Sequence, residues 1–171
     1  MGNYVIGVGN YVIVSPSELG NYMIADRPGV LPIWDMDDTR PGKPRWYAMP
    51  RAQLLADALG SYATLRDVVS NIAFLADVLA RLAEDEGTYH RDIKPDNLFW
   101  WNEGPVLADF GIAAWRTADR SQSGVTRKTE KLGPANFIAP EMRSDRPADR
   151  GRHADVYSLA KTLFVLALPH R

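Results

Sequence analysis

Cysteine is absent from the 171 residues, which excludes a disulfide framework and any thiolate metal site. A surplus of one charge sign is absent too: the net charge is −1, so no overall field points to nucleic acid or to an anionic membrane. Met1 to Val14 carry no Lys or Arg and so lack the charged flank of a signal peptide. No run of about 18 apolar residues occurs, which excludes a membrane-spanning helix by sequence. Lysine is missing altogether before Lys43. Together these absences lead to the expectation of a cytoplasmic protein without a nucleic-acid partner. What is present is a hydrophobic fraction of 46%, ordinary for a globular chain and sufficient for one domain with a core.

Along the chain, Asn3-Tyr4-Val5-Ile6 and Asn10-Tyr11-Val12-Ile13 are β-prone and flank Gly7-Val8-Gly9, which predicts a hairpin. A related tetrad, Asn21-Tyr22-Met23-Ile24, follows at a spacing too irregular for a repeat architecture. Ser15-Pro16-Ser17-Glu18 has the form of a helix start, with serine as cap, proline in the first turn and glutamate closing a capping box. That helix is expected to run to about Asp26 and stop at Pro28-Gly29. Val30 to Ile33 and Arg45 to Met49 read as strands joined by a polar loop. Leu65, Val68, Val69, Ile72, Leu75, Leu79 and Leu82 recur at helical spacing and predict one apolar stripe, ended by Glu84-Asp85-Glu86-Gly87. Short strands are expected around Leu98–Trp101 and Val106–Ala108, and a mobile polar loop over Thr117 to Lys131. A final helix begins near Asp155, and its segment from Ser158 to Pro169 reads as buried core. Strands first and helices afterwards make an α+β arrangement.

The chemistry concentrates in His90-Arg91-Asp92-Ile93-Lys94-Pro95-Asp96-Asn97, followed by Asp109-Phe110-Gly111 and Ala139-Pro140-Glu141. This order supplies a proton acceptor, a phosphate-facing lysine and two oxygen ligands for a hard metal ion. Phosphoryl transfer needs that set, since its catalysis is mostly positioning and charge neutralisation. A lone Asp or Lys is usually a solvated loop charge, but the spaced set makes that bland reading a poor one. The three motifs resemble the catalytic half of a protein kinase, and Lys94-Pro95 resembles the serine/threonine class.

The resemblance implies Asp92 as catalytic base and Lys94 as the neutraliser of charge on the transferred phosphoryl group, hence also a nucleotide contact. It implies Asn97 and Asp109 as Mg²⁺ ligands beside bound ATP. His90 is expected to pack on Phe110 rather than to act chemically. Arg91 would receive a phosphate placed on Ser121, Ser123, Thr126 or Thr129 of the activation loop. Asp155, in Asp155-Val156-Tyr157-Ser158-Leu159, would anchor the catalytic loop by bonding its backbone. The adenine-binding hinge maps to Met49-Pro50-Arg51-Ala52, with Met49 as gatekeeper and Ala52 as the backbone donor, because Pro50 has no N–H.

The resemblance covers about Glu18 to Leu166 and departs from the family in several places. No lysine stands where a third strand should clamp the α- and β-phosphates. Glu18 fits the spacing of that lysine's partner, but the capping role is the preferred reading. Ile6 to Val14 imitates a glycine-rich phosphate loop only in part, with Val12 in place of the third glycine. Gly133-Pro134-Ala135-Asn136 lacks the threonine that would bridge the base and Lys94, and the arginine partner of Glu141 is not found. The expectation is a kinase domain truncated at both ends: an incomplete N-lobe and hinge over residues 1–52, and a mainly helical partial C-lobe over 53–171. It would act on a protein Ser/Thr hydroxyl with ATP and Mg²⁺, weakly if at all, and would self-associate through exposed apolar surface. The alternatives are a non-catalytic pseudokinase-like module and a small-molecule phosphotransferase.

Overall fold

β-Branched and aromatic residues dominate the first two strands of the computed structural model, β1 (Val5–Val8) and β2 (Tyr11–Val14), which pair antiparallel with Val8 opposite Tyr11. The structure describes residues 5–8, 11–14, 27–37, 39, 45–110, 114–115, 136–143 and 152–168. The expected helix from Ser15 to Asp26 with Glu18, the loop from Thr117 to Lys131 with its four candidate phosphate acceptors, and Gly133 to Ala135 lie outside them.

Strands β3 (Asp35–Met36) and β4 (Tyr47–Pro50) complete a four-stranded sheet in the order β1-β2-β4-β3. The polar loop between them is closed by buried Asp37. It accepts Thr39 Oγ1–H at 2.5 Å and the Arg45 backbone and side-chain N–H groups, each at 3.0 Å. The Thr39 bond, then those to Arg45, hold the Asp37 carboxyl well below the usual carboxylate range.

Val30 to Ile33 is not a strand of this sheet, contrary to its β-prone composition. Val30 forms one parallel bridge with Leu107, the Leu31 N–H donates to Leu107 O at 2.8 Å, and the Leu107 N–H donates to Gly29 O at 2.9 Å. Val30 is buried in the main core and Leu31 against Val106 and Ala108, so the segment packs beside β8 rather than along β4. Gly29 makes that contact feasible: its φ is +81°, and a Cβ there would strike the side chain of Val78.

Next come β5 (Gln53–Leu54), the short α1 (Leu55–Leu59) and α2 (Leu65–Asp85). Thr64 and Asp67 form a reciprocal capping box at the start of α2, and Glu86 caps its end before Gly87 turns away with a φ of 59°. The buried face is Val68, Ile72, Leu75, Val78, Leu82 and Ala83. Leu65 and Val69 are exposed, so the expected stripe is narrower. Val69 points about 100° away from Val68 around the axis, and Leu65 belongs to the first turn.

Strand β6 (Thr88–Tyr89) pairs with β9 (Ala114–Trp115), while β7 (Leu98–Trp101) and β8 (Gly104–Leu107) form a hairpin that β5 joins. Helix α3 (Arg152–Ala167) starts three residues earlier than its aspartate suggested and packs on α2. It is not a wholly buried helix: Ala154, Asp155, Ser158, Leu159, Thr162 and Leu166 face inward, whereas Val156, Phe164 and Val165 are exposed. Leu55, Leu75, Ile93, Leu98, Leu107 and Phe110 form the centre of the main core, directly beneath the polar loop that follows His90. No described helix is long and apolar enough to cross a membrane.

Candidate active site

The loop from His90 to Asn97 joins β6 to β7 and is fixed at its start from a distant helix. Asp155 on α3 accepts the His90 backbone N–H at 2.8 Å and the Arg91 backbone N–H at 2.7 Å, one on each carboxylate oxygen. Arg91 has a φ of 67°, a left-handed conformation that a non-glycine residue holds only when its surroundings impose it. The pair of bonds to Asp155 supplies that constraint. Burial pushes the Asp155 carboxyl up, against the opposing pull of His90 and of these N–H donors.

His90 is fully buried, and its ring lies 4.2 Å from that of Phe110, centroid to centroid. Packing on Phe110 is therefore as expected. The ring also forms two hydrogen bonds that the sequence did not suggest. Nε2 donates to Ala108 O at 3.0 Å, and Nδ1 accepts the Asp92 N–H at 3.3 Å, which together define the neutral tautomer. Burial is the main reason its pKa lies below the ordinary histidine value. His90 thus ties the backbone that carries Asp92 to the backbone that precedes Asp109.

Asp92, Lys94 and Asn97 meet directly. Lys94 Nζ lies 3.0 Å from Asp92 Oδ2, and the Asn97 side-chain NH₂ donates to both Asp92 O at 2.8 Å and Asp92 Oδ2 at 3.0 Å. Pro95 starts a single 3₁₀ turn over Pro95–Asn97, which swings Asn97 back under Asp92. The outcome is an asymmetric carboxylate: Oδ2 is held by two donors, while Oδ1 is buried with no hydrogen-bond partner among the described residues. An orphaned buried carboxylate oxygen is costly unless a donor arrives from a ligand.

Asp109 is brought alongside through the Ala108 N–H, which donates to Asn97 O at 3.1 Å, and it too is left-handed, with a φ of 62°. The His90 ring bonds both Ala108 O, just before Asp109, and the Asp92 N–H, so one side chain links the backbones that carry the two carboxylates. Met49 lines a recess with Tyr47, Val30, Leu31, Asp109 and Phe110. Met49 and Ala52 both pack against the cluster of Leu31, Val106 and Ala108. Asp92, Lys94 and Asn97 thus form one cluster, joined through Asn97 O and the Ala108 N–H to the recess that Met49 and Asp109 line.

Both donor protons of the Asn97 amide are spent on Asp92, which leaves its amide oxygen as the atom able to ligate a cation. Among the described residues no group of three or more His, Cys, Asp or Glu gathers as a metal cage. An amide oxygen and one carboxylate instead suit Mg²⁺, which keeps most of its shell as water and phosphate oxygens.

Ser158 is a site-supporting residue that motif reading passed over. Its Oγ–H donates to Phe137 O at 2.8 Å, pinning the chain just before Ala139-Pro140-Glu141 to α3. The signal was available: Asp155 and Ser158 are three apart on a helix and so share a face.

Comparison with known proteins bears on this arrangement. Residues 60–170 match the family described as the protein kinase domain. CBL-interacting protein kinase 8 of Oryza sativa subsp. japonica is 39% identical over 82 residues, which is 47% of this chain and 17% of that protein. A probable serine/threonine-protein kinase of Corynebacterium glutamicum is 35% identical over 85 residues, 49% of this chain and 12% of that protein. Another from Corynebacterium efficiens is 38% identical over 85 residues, again 49% and 12%. The chain thus spans less than a fifth of the length of these curated relatives. A match over most of the chain, centred on the loops that gather Asp92, Lys94, Asn97 and Asp109, means that it belongs to the protein kinase family, with that family's α+β fold.

Proposed function

We propose that the chain carries out serine/threonine protein kinase chemistry, moving the γ-phosphoryl group of ATP to a protein hydroxyl. The observation that carries this reading is the half-satisfied carboxylate of Asp92, with Oδ2 clamped by Lys94 and Asn97 and Oδ1 buried without a partner among the described residues. A substrate hydroxyl is a donor that would complete it and would be oriented for attack as it did so. Lys94, already beside that carboxylate, neutralises charge on the group in transit. Asn97 and Asp109 would hold Mg²⁺, which would supply charge neutralisation at the phosphate oxygens. Met49 sets the depth of the adenine pocket, and the Ala52 backbone N–H donates to the base. Residues 1–52, which end in the hinge Met49-Pro50-Arg51-Ala52, form the adenine roof in this reading, and residues 53–171 the catalytic floor.

Relatives named as serine/threonine-protein kinases support a protein substrate over a small-molecule one, and do not favour a purely non-catalytic module. No lysine precedes Lys43 in the 171 residues, and one preorganised charge contact is typically worth ~10²–10³ in rate, so slow transfer is expected of these residues taken by themselves. The test is phosphate transfer from ATP to a generic protein substrate in the presence of Mg²⁺. Transfer that disappears in Asp92→Asn supports the assignment; transfer that survives it removes Asp92 as the base.

A further inference from the structure

The core-facing side of α2 is not its only apolar one. Leu65 is 64% and Val69 44% exposed, and Tyr62, just before the Thr64 cap, is 98% exposed. Further along the helix Ala73 and Ala76 are exposed and Ala80 is half-buried. At about 100° per residue, Leu65, Val69, Ala73, Ala76 and Ala80 fall within an arc of about 80° on one flank of the buried face. Large side chains occupy the first half of this strip and small ones the second. Exposed Arg66 borders its start, and exposed Asp77 follows three turns later on the same border.

Such a strip is complementary to itself in one orientation only. Laid antiparallel about a twofold axis near Ala73, Leu65 faces Ala80 of a second copy and Val69 faces Ala76, large against small at both ends. Arg66 then stands about two residues, ~3 Å along the axis, from Asp77 of the second copy, within reach of its long side chain. The symmetry makes that ion pair twice. Laid parallel, the same helices would set Leu65 on Leu65 and Ala80 on Ala80, crowded at one end and gapped at the other. Arg66 would also meet Arg66, and Asp77 would meet Asp77.

We propose that α2 is a self-association face: two copies of this chain form a twofold dimer by pairing the Leu65–Ala80 side of α2 antiparallel, with Arg66–Asp77 ion pairs along its rim. The inference is independent of the proposed kinase chemistry, since none of the residues given to that site lies on the strip. The 21 residues of α2 span about 31 Å and the contact is one helix wide, so the dimer belongs to the small, reversible class.

The test is sedimentation equilibrium of the full chain from micromolar to submillimolar concentration, where a reversible monomer–dimer equilibrium is expected. Arg66→Asp and Asp77→Arg should each weaken dimerisation about tenfold, and the double exchange should restore it, which also shows that the single variants fold. Because the chain has no cysteine, cross-linking reads the orientation directly. Ala73→Cys, next to the axis, should give a covalent dimer on mild oxidation. Leu65→Cys, whose two copies stand roughly 22 Å apart in the antiparallel pair, should not. A chain that stays monomeric throughout overturns the proposal, as does a dimer that both charge reversals leave undiminished. Cross-linking through Leu65→Cys and not through Ala73→Cys overturns the antiparallel arrangement.

Discussion

In the loop from His90 to Asn97 side chains hold the backbone, whereas in the sheet of β1 to β4 the backbone holds itself. The loop's shape depends on Asp155, His90 and Asn97, each bonding main-chain groups of the loop or of Ala108. The hairpin and its pairing with β4 depend on a ladder that many sequences could form. The difference teaches where substitution is tolerated. A sheet position can carry valine without loss of pairing, but the loop needs its particular acids and amides to exist at all.

Asp155→Ala should be the sharpest blow to one side of that contrast. It strands two buried backbone N–H groups, each costing ~1–3 kcal/mol, so denaturant unfolding should report a loss of roughly 3–5 kcal/mol. Asp155→Asn, which keeps one acceptor, should lose less. An alanine variant within ~1 kcal/mol of the parent would mean that the loop holds its own shape.

Gly29→Ala tests the joint between the two regions. The left-handed φ and the contact with Val78 together predict a loss of about 2–3 kcal/mol. Pairing it with Val78→Ala should recover the steric part and leave the strain, a non-additivity that a double-mutant cycle reads directly.

Acid should separate the regions by pH. His90 is held neutral by burial, so the unfolded chain takes up its proton first. Its contribution is present above about 6.5 and is lost as pH falls below that value. Asp155, pushed up by burial, acts in the opposite sense and offsets part of this slope. Asp37, whose carboxyl is held low by Thr39 and Arg45, contributes above about 3.8 and fails only below it. Amide protection factors, corrected for the intrinsic exchange rate at each pH, should therefore fall around Arg91 and Asp92 in mild acid, while those of Thr39 and Arg45 hold until strong acid. Simultaneous loss at both places would erase the distinction.

The smallest effect belongs to neither region. Thr64→Ala removes the capping box of α2 and should cost about 1 kcal/mol, seen as a shifted unfolding midpoint with an unchanged slope. Since the Thr64 bonds also hold the Asp67 carboxyl below its usual range, the gap between variant and parent should shrink in strong acid.

Much of the candidate site was legible from residues alone. Asp92, Lys94 and Asn97 fall within six positions of one another, and the proline between them leaves little freedom in how they turn. The hairpin of β7 and β8 and the helix α2 were equally readable, because their periodicities are local. The failures were of another kind. Val30 to Ile33 has strand composition but is captured by Leu107. Helix α3 is mostly apolar in its second half, Lys161 and Thr162 apart, yet leaves Phe164 exposed at 64%. Neither outcome follows from propensity, since composition does not state which surface arrives first.

Local spacing, then, determined which chemical groups stand together: the acid, lysine and amide of one loop, the aspartate of the next, and the absence of any cation before Arg27. Only the tertiary structure decided that Asp155 reaches across 65 positions to shape that loop, that His90 bridges to Ala108, and that β2 lies against the strand of Met49. The reason is physical. Neighbours along a chain are held close by covalent geometry, while distant partners meet only where burying apolar surface outweighs the entropy of closing the loop between them.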